Sequence, residues 1–288
     1  MQAAAFGLGV AALLAAIPAA AQNGRFDIGG RTIRLACRGE GAPTVVIDAG
    51  MGTAPAEDQA WQGIAARIAP TTRACLYDRA GLGGSDPVAK GAIRTSADMA
   101  ADLEAALRKA GVKPPFLLVG HSIGGLHAQV FAARYPKQVA GLVLVSSTHP
   151  KQFTTWRAIL PGPAAGEPEL VAKARAILAR MDSDVSMNSE SLDVLASNRQ
   201  ALALQSLGDK PVIVATHSPT YRMVPDLPEA ISVQLEAGTQ RLQKQFLSLS
   251  PNAVQHIAAK AGHGLPHEDP DFVVANILEG VAAVRKRR

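Results

Sequence analysis

From Arg31 onward, short runs of apolar and β-branched residues alternate with longer stretches in which apolar residues recur every three or four positions. The first pattern predicts strands and the second helices, and their alternation predicts an α/β protein with a mostly parallel sheet covered on both faces. Strands are expected over residues 32–37, 44–47, 73–77, 116–119, 142–145, 212–215 and 253–257. Continuous apolar runs such as Phe116-Leu117-Leu118-Val119 suit strands buried on both sides.

The expected helix ahead of Phe116 shows the local logic. Thr95, with Asp98 three residues on, caps its start. Met99, Leu103, Leu107 and Ala110 follow at helical spacing. Gly111 then ends the helix, and Pro114-Pro115 blocks any continuation. One long interval, between Val145 and Val212, breaks the alternation. It holds helical patterns over 169–181 and 190–207, preceded by a Pro/Gly-rich segment at 160–168. These are either ordinary crossover helices or a small helical lid over one end of the sheet. Two helices and a flexible lead-in fit the lid better.

Composition narrows the class. Of the 288 residues, 48% are hydrophobic and 18% charged, enough for one sizeable core and too apolar for a disordered chain. The formal net charge is +5, with four positive charges in Arg285, Lys286, Arg287 and Arg288 at the end of the chain. With seven Phe, two Trp and three Tyr and no basic stripe among them, nucleic acid is not an expected partner.

The first 21 residues carry no charge, run apolar from Ala3 to Ile17 and end in Ala19-Ala20-Ala21. This matches a secretory leader with small residues before the cleavage point, although no Lys or Arg stands near Met1. The apolar run is short for a membrane span, which needs about 20 residues. The expectation is therefore an exported protein, periplasmic or secreted. Residues 1–21 would form the leader and 22–288 a single domain with the lid inserted at about 150–208. No later stretch is apolar enough to span a bilayer.

The strongest chemical signal is Gly120-His121-Ser122-Ile123-Gly124-Gly125, between an expected strand and an expected helix. Gly-x-Ser-x-Gly in that setting is a nucleophile elbow. The serine sits on a tight turn, so the residues two before and two after it must be small. Its hydroxyl then stands at the strand's carboxyl end, beside the free N–H groups of a helix N-terminus. The sequence has neither the Lys-Ser/Thr ending of a P-loop nor the spacing of a dinucleotide loop. A serine nucleophile needs a base, and His263, in Ala261-Gly262-His263-Gly264 after the last expected strand, follows it in the chain order Ser then His. The other six histidines, His121, His127, His149, His217, His256 and His267, read as elbow neighbours or as structural and solvated residues.

With these motifs the chain resembles the α/β-hydrolase family from Arg31 to Ala283. Asp48-Ala49-Gly50-Met51-Gly52 is similar to the family's oxyanion loop. Tyr77-Asp78-Arg79-Ala80-Gly81-Leu82-Gly83-Gly84-Ser85 is similar to its arginine turn, with Ala80 where glycine is usual. The resemblance implies an eight-stranded sheet with an antiparallel second strand and a lid after the sixth. It also implies an oxyanion hole made by the backbone N–H groups of Met51 and Ile123. Cys37 and Cys75 fall on the second and fourth family strands, which are neighbours in that sheet. A cross-strand disulfide and two buried thiols are both open to them.

The resemblance leaves the triad acid unfilled. Related sequences often carry Asp where Ser146 stands, and Thr216-His217-Ser218-Pro219 after the seventh family strand holds no acid. The first carboxylate beyond it is Asp226, the candidate acid, although a capping or surface role suits it better. Loss of the acid costs about 10⁴-fold in turnover in the protease template, so its absence argues for a slow or unusual hydrolase before an inert one.

The expected function is that of a serine hydrolase cleaving small-molecule esters or thioesters through an acyl-enzyme on Ser122, with His263 as base and no metal or cofactor. Serine at the elbow departs from the dehalogenase and epoxide hydrolase branches, which use aspartate there. Three alternatives stand beside it. One is a silent binding protein on the same scaffold, and another a cofactor-free haloperoxidase-like enzyme. The third, a nucleotide-dependent oxidoreductase, is disfavoured by Pro55 where a third glycine belongs.

Overall fold

The computed structural model describes residues 23–224 and 226–287; the leader expected over 1–21 lies outside them. Eight strands form one sheet: β1 Gly24–Asp27, β2 Thr32–Arg38, β3 Thr44–Asp48, β4 Ala74–Asp78, β5 Phe116–His121, β6 Val139–Val145, β7 Val212–Thr216 and β8 Ala253–Ile257. Their spatial order is β1-β2-β4-β3-β5-β6-β7-β8. β2 runs antiparallel to both neighbours, and all other pairs from β4 to β8 are parallel.

The central strands β3, β4, β6 and β7 are buried at every position, as strands covered on both faces must be. Two apolar clusters lie on opposite faces of the sheet. One contains Trp61, Ile64 and Ile68 of α1 (Gln59–Ile68) and Val273, Ile277 and Val281 of α9 (Pro270–Lys286). The other contains side chains of α2 (Ser96–Lys109), α3 (Ile123–Arg134) and α7 (Glu229–Gln245). α2 begins where its cap was expected, with the Asp98 carboxylate accepting from the Thr95 backbone N–H at 2.7 Å. Among the described residues no helix is long and apolar enough to cross a membrane.

Three differences from the sequence reading have local causes. β1, sequence Gly-Arg-Phe-Asp, has no apolar run to announce it and forms by pairing with β2. Between β6 and β7 stand three short helices, α4 Gln152–Ile159, α5 Glu169–Arg180 and α6 Val194–Ala201. α6 starts later than the expected 190 because Asp193 caps it, accepting from the Ala196 N–H, and Glu190 turns inward instead. α8 (Leu265–Glu268) is a single turn ahead of α9.

Cys37 and Cys75 face each other in the register of β2 and β4 and are joined in a disulfide.

Candidate functional site

β5 stops at His121 and α3 starts at Ile123, leaving Ser122 alone at the turn with φ 54° and ψ −124°. The two elbow glycines have no room for a side chain. A Cβ on Gly120 would strike the backbone of Gly124 and Gly125, and one on Gly124 the carbonyl groups of Asp48 and Ala49. The turn is fastened to the next strand. The Ser122 N–H donates to Val145 O at 3.2 Å, and the Thr148 N–H donates to Ser122 O at 2.8 Å.

His263, in the loop after β8, brings its Nε2 to 3.0 Å from Ser122 Oγ. Its backbone carbonyl accepts from His121 Nε2 at 2.9 Å, which ties the histidine loop to the elbow. Burial, with the neighbouring rings of His121 and His217, pushes the His263 pKa down to about 3. Burial likewise takes His121 down to about 4. Both rings are therefore neutral at pH 7, and a neutral Nε2 facing a serine hydroxyl accepts its proton.

The other ring nitrogen, Nδ1, is 2.8 Å from Ser146 Oγ. Ser146 is the first residue after β6, at φ 40°, and its N–H donates to Ala215 O. Asp226, the candidate acid, is exposed, and among the described residues no hydrogen bond joins it to His263. A hydroxyl occupies the place where an acid was sought. Ser146 Oγ also lies 2.6 Å from Nδ1 of His217, whose Nε2 is 3.0 Å from Glu236 Oε1 on α7. His217 was read as a structural or solvated residue and Glu236 was not anticipated. Its signal was faint: Ser232, Leu235, Glu236, Thr239, Leu242 and Gln243 form the inward stripe of α7 at helical spacing.

Met51 stands in the turn after β3 and Ile123 at the first position of α3, both on the wall that carries Ser122. Among the described residues neither backbone N–H has an acceptor. The loop around Met51 is held from behind by Arg79, which is fully buried. Arg79 donates to Ala49 O at 2.8 Å and Gly50 O at 2.7 Å, and pairs with Asp48 and with both Glu190 oxygens. Glu190 also accepts from the Gly52 N–H at 2.8 Å, so the segment between β6 and β7 reaches across to brace this loop. Burial alone would raise the Glu190 pKa, but Arg79 and the Gly52 amide outweigh it and leave the carboxyl below its usual value. Burial of Asp48 prevails over Arg79 and takes it up to about 6.

Ser122, Ile123, Met51 and His263 open onto a cavity of about 540 Å³. Its lining includes Phe153 and Trp156 of α4, Leu178 of α5 and Met181 just beyond α5. Among the described residues no Asp, Glu, Lys or Arg lines it. Nor is any group of three or more His, Cys, Asp or Glu placed to hold a metal ion among them.

The family model described as alpha/beta hydrolase fold matches residues 43–210. An uncharacterized protein of Bacillus subtilis is 30% identical over 135 residues, covering 46% of this chain and 39% of that protein. An AB hydrolase superfamily protein of Gibberella zeae is 29% identical over 286 residues, 84% of this chain and 87% of that one. Among solved structures, a thermophilic esterase from Thermogutta terrifontis aligns over 88% of this chain and 94% of its own, with a TM-score of 0.56 and 21% identity. At that identity the likeness is one of fold.

Proposed function

Because the chain belongs to the alpha/beta hydrolase family, we propose that it is a serine hydrolase cleaving uncharged carboxylic esters or thioesters with an apolar acyl group. The observation that carries this reading is the 3.0 Å contact between Ser122 Oγ and His263 Nε2 at the wall of an uncharged, largely apolar cavity. A cavity of this volume takes a small ligand, and its lining gives a charged acyl chain no partner.

The chemistry follows from the positions. Ser122 Oγ attacks the carbonyl carbon as its proton passes to His263 Nε2. The carbonyl oxygen becomes an oxyanion facing the Met51 and Ile123 N–H groups and the positive end of α3. Collapse expels the alcohol or thiol, which takes the proton from His263. Water, deprotonated by the same nitrogen, then attacks the acyl-enzyme, and Ser122 is released with the acid as product.

The serine supports ester hydrolysis over dehalogenase or epoxide-opening chemistry. A halide-displacing or epoxide-opening member needs a carboxylate nucleophile, whose ester water then attacks at the carbonyl, whereas an alkylated serine offers water no such carbon. Export of the protein is part of the proposal, supported by the apolar leader and by the Cys37–Cys75 bond, since disulfides persist in oxidising compartments. A panel of chromogenic esters of increasing acyl length tests the reading. Turnover should rise from acetate to medium-length acyl groups and vanish in Ser122→Ala. Absence of turnover across the panel, or equal turnover in Ser122→Ala, would overturn it.

A further inference from the structure

We propose that Glu236, acting through His217 and Ser146, replaces the missing triad acid and holds His263 in the tautomer that accepts the serine proton. The inference rests on the hydrolase reading above and names three positioning residues for it.

The contacts form one continuous line. From Ser122 Oγ they run 3.0 Å to His263 Nε2, 2.8 Å from His263 Nδ1 to Ser146 Oγ, 2.6 Å from Ser146 Oγ to His217 Nδ1, and 3.0 Å from His217 Nε2 to Glu236 Oε1. Ser146, His217 and Glu236 are each at most 3% exposed. Heavy atoms do not show which way such a line runs, because hydroxyl and imidazole groups serve either as donor or as acceptor. One carbonyl group and an ionised carboxyl group set it.

Gln240 Nε2 lies 3.0 Å from the His217 backbone oxygen, which only accepts, so this atom is the amide nitrogen. Its second N–H points to Glu236 Oε1 at 2.8 Å, which makes Oε1 an acceptor. The other carboxyl oxygen, Oε2, is buried with no partner among the described residues. With Glu236 ionised its oxygens only accept, so His217 Nε2 donates to Oε1. His217 Nδ1 is then bare and accepts from the Ser146 hydroxyl. The hydroxyl oxygen accepts in turn from His263 Nδ1–H, and His263 Nε2 is left bare toward Ser122.

A directly bonded carboxylate does the same for a catalytic histidine. When His263 takes the serine proton, both its ring nitrogens carry hydrogen and the Ser146 bond remains intact, now charge-assisted. No proton has to leave Ser146 or His217. The carboxylate acts from farther away than a triad acid, so the site is expected to be slower than one with Asp at position 146. A merely structural network would need satisfied partners but would need no particular direction. Here the four contacts run in the direction catalysis requires.

The test combines kinetics with a tautomer measurement on the full chain. Glu236→Gln and Ser146→Ala should each lower kcat by roughly tenfold to a thousandfold with KM within about twofold, and the double variant should be no slower than the worse single one. Ser146→Asp puts a carboxylate directly on His263 Nδ1 at a position whose φ aspartate tolerates. In that background Glu236→Gln should change kcat by less than about threefold, a rescue that injury to the fold would not permit. Asp226→Asn should match wild type. Glu236→Gln, folded and as fast as wild type, or equally damaging with Asp at position 146, would overturn the proposal. Nitrogen-15 shifts of the His263 ring read the tautomer without substrate. Nδ1–H in wild type, lost or mixed in Glu236→Gln, is the expected result, and Nε2–H in wild type would refute it. A protein with no esterase activity but with the Nδ1–H tautomer would sink the hydrolase reading while leaving this one standing.

Discussion

The meeting of Ser122 and His263 was legible from the sequence because each sits in a short motif whose local geometry is nearly self-contained. Gly120 and Gly124 are needed wherever a serine is presented on so tight a turn, and the structure leaves neither room for a Cβ. Ser146, His217 and Glu236 were not legible, because they meet only when the ends of β6 and β7 are brought beside α7. Their spacing in sequence encodes nothing about that meeting. Asp226 drew attention as the nearest carboxylate downstream of β7, whereas the acid that reaches the network stands ten residues farther on. At this scale the pH dependence follows from the depressed His263 pKa. The base must be neutral, so its contribution to kcat/KM falls as pH drops through that pKa, which lies near 3 instead of the ordinary 6.5. A profile flat from pH 8 to 5 is expected; half-loss of kcat/KM near pH 6.5 would contradict it.

At the scale of elements, regular periodicity was the reliable signal. α2, with its cap and its glycine stop, formed where predicted, whereas β1 and α4 lacked a run long enough to stand out. The interval between β6 and β7 misled differently. A helix was expected from 190, yet Glu190 leaves the helical pattern to reach Arg79 and the Gly52 N–H. Arg79 thus has partners on two sides and grips the carbonyls of the oxyanion loop between them. Replacing Glu190 with Ala leaves a buried guanidinium short of a partner, at a cost of about 3 to 5 kcal/mol. Urea unfolding should show that loss, and kcat should fall with it as the Met51 amide loses its bracing. A variant as stable as wild type would show that the pair is energetically idle.

At the scale of the molecule, the parallel sheet collects the carboxyl ends of β5, β6, β7 and β8 at one edge, so residues 122, 146, 217 and 263 come together although 141 positions separate the first from the last. The opposite part of the sheet is fastened covalently. The Cys37–Cys75 bond closes a loop of 38 residues and should stabilise the fold by roughly 3 to 4 kcal/mol. A reductant should lower the unfolding midpoint of wild type and leave Cys37→Ala/Cys75→Ala, already less stable, unmoved. Reductant sensitivity equal in both would contradict the bond's role. The buried histidines act in the same direction on the whole fold. Burial depresses the pKa values of His121, His127, His149 and His263 from 6.5 to between about 3 and 4. The unfolded chain therefore binds more protons below pH 6.5, and stability present at neutral pH is lost as pH falls from there toward 4.

The central claim is that Ser122 carries a hydroxyl made reactive by His263. The most direct measurement is intact-mass analysis after treatment with a fluorophosphonate. One phosphonyl group per wild-type chain, located at Ser122, absent from Ser122→Ala and strongly slowed in His263→Ala, is the predicted result. A wild-type protein that stays unlabelled, or a label that persists in Ser122→Ala, would contradict it.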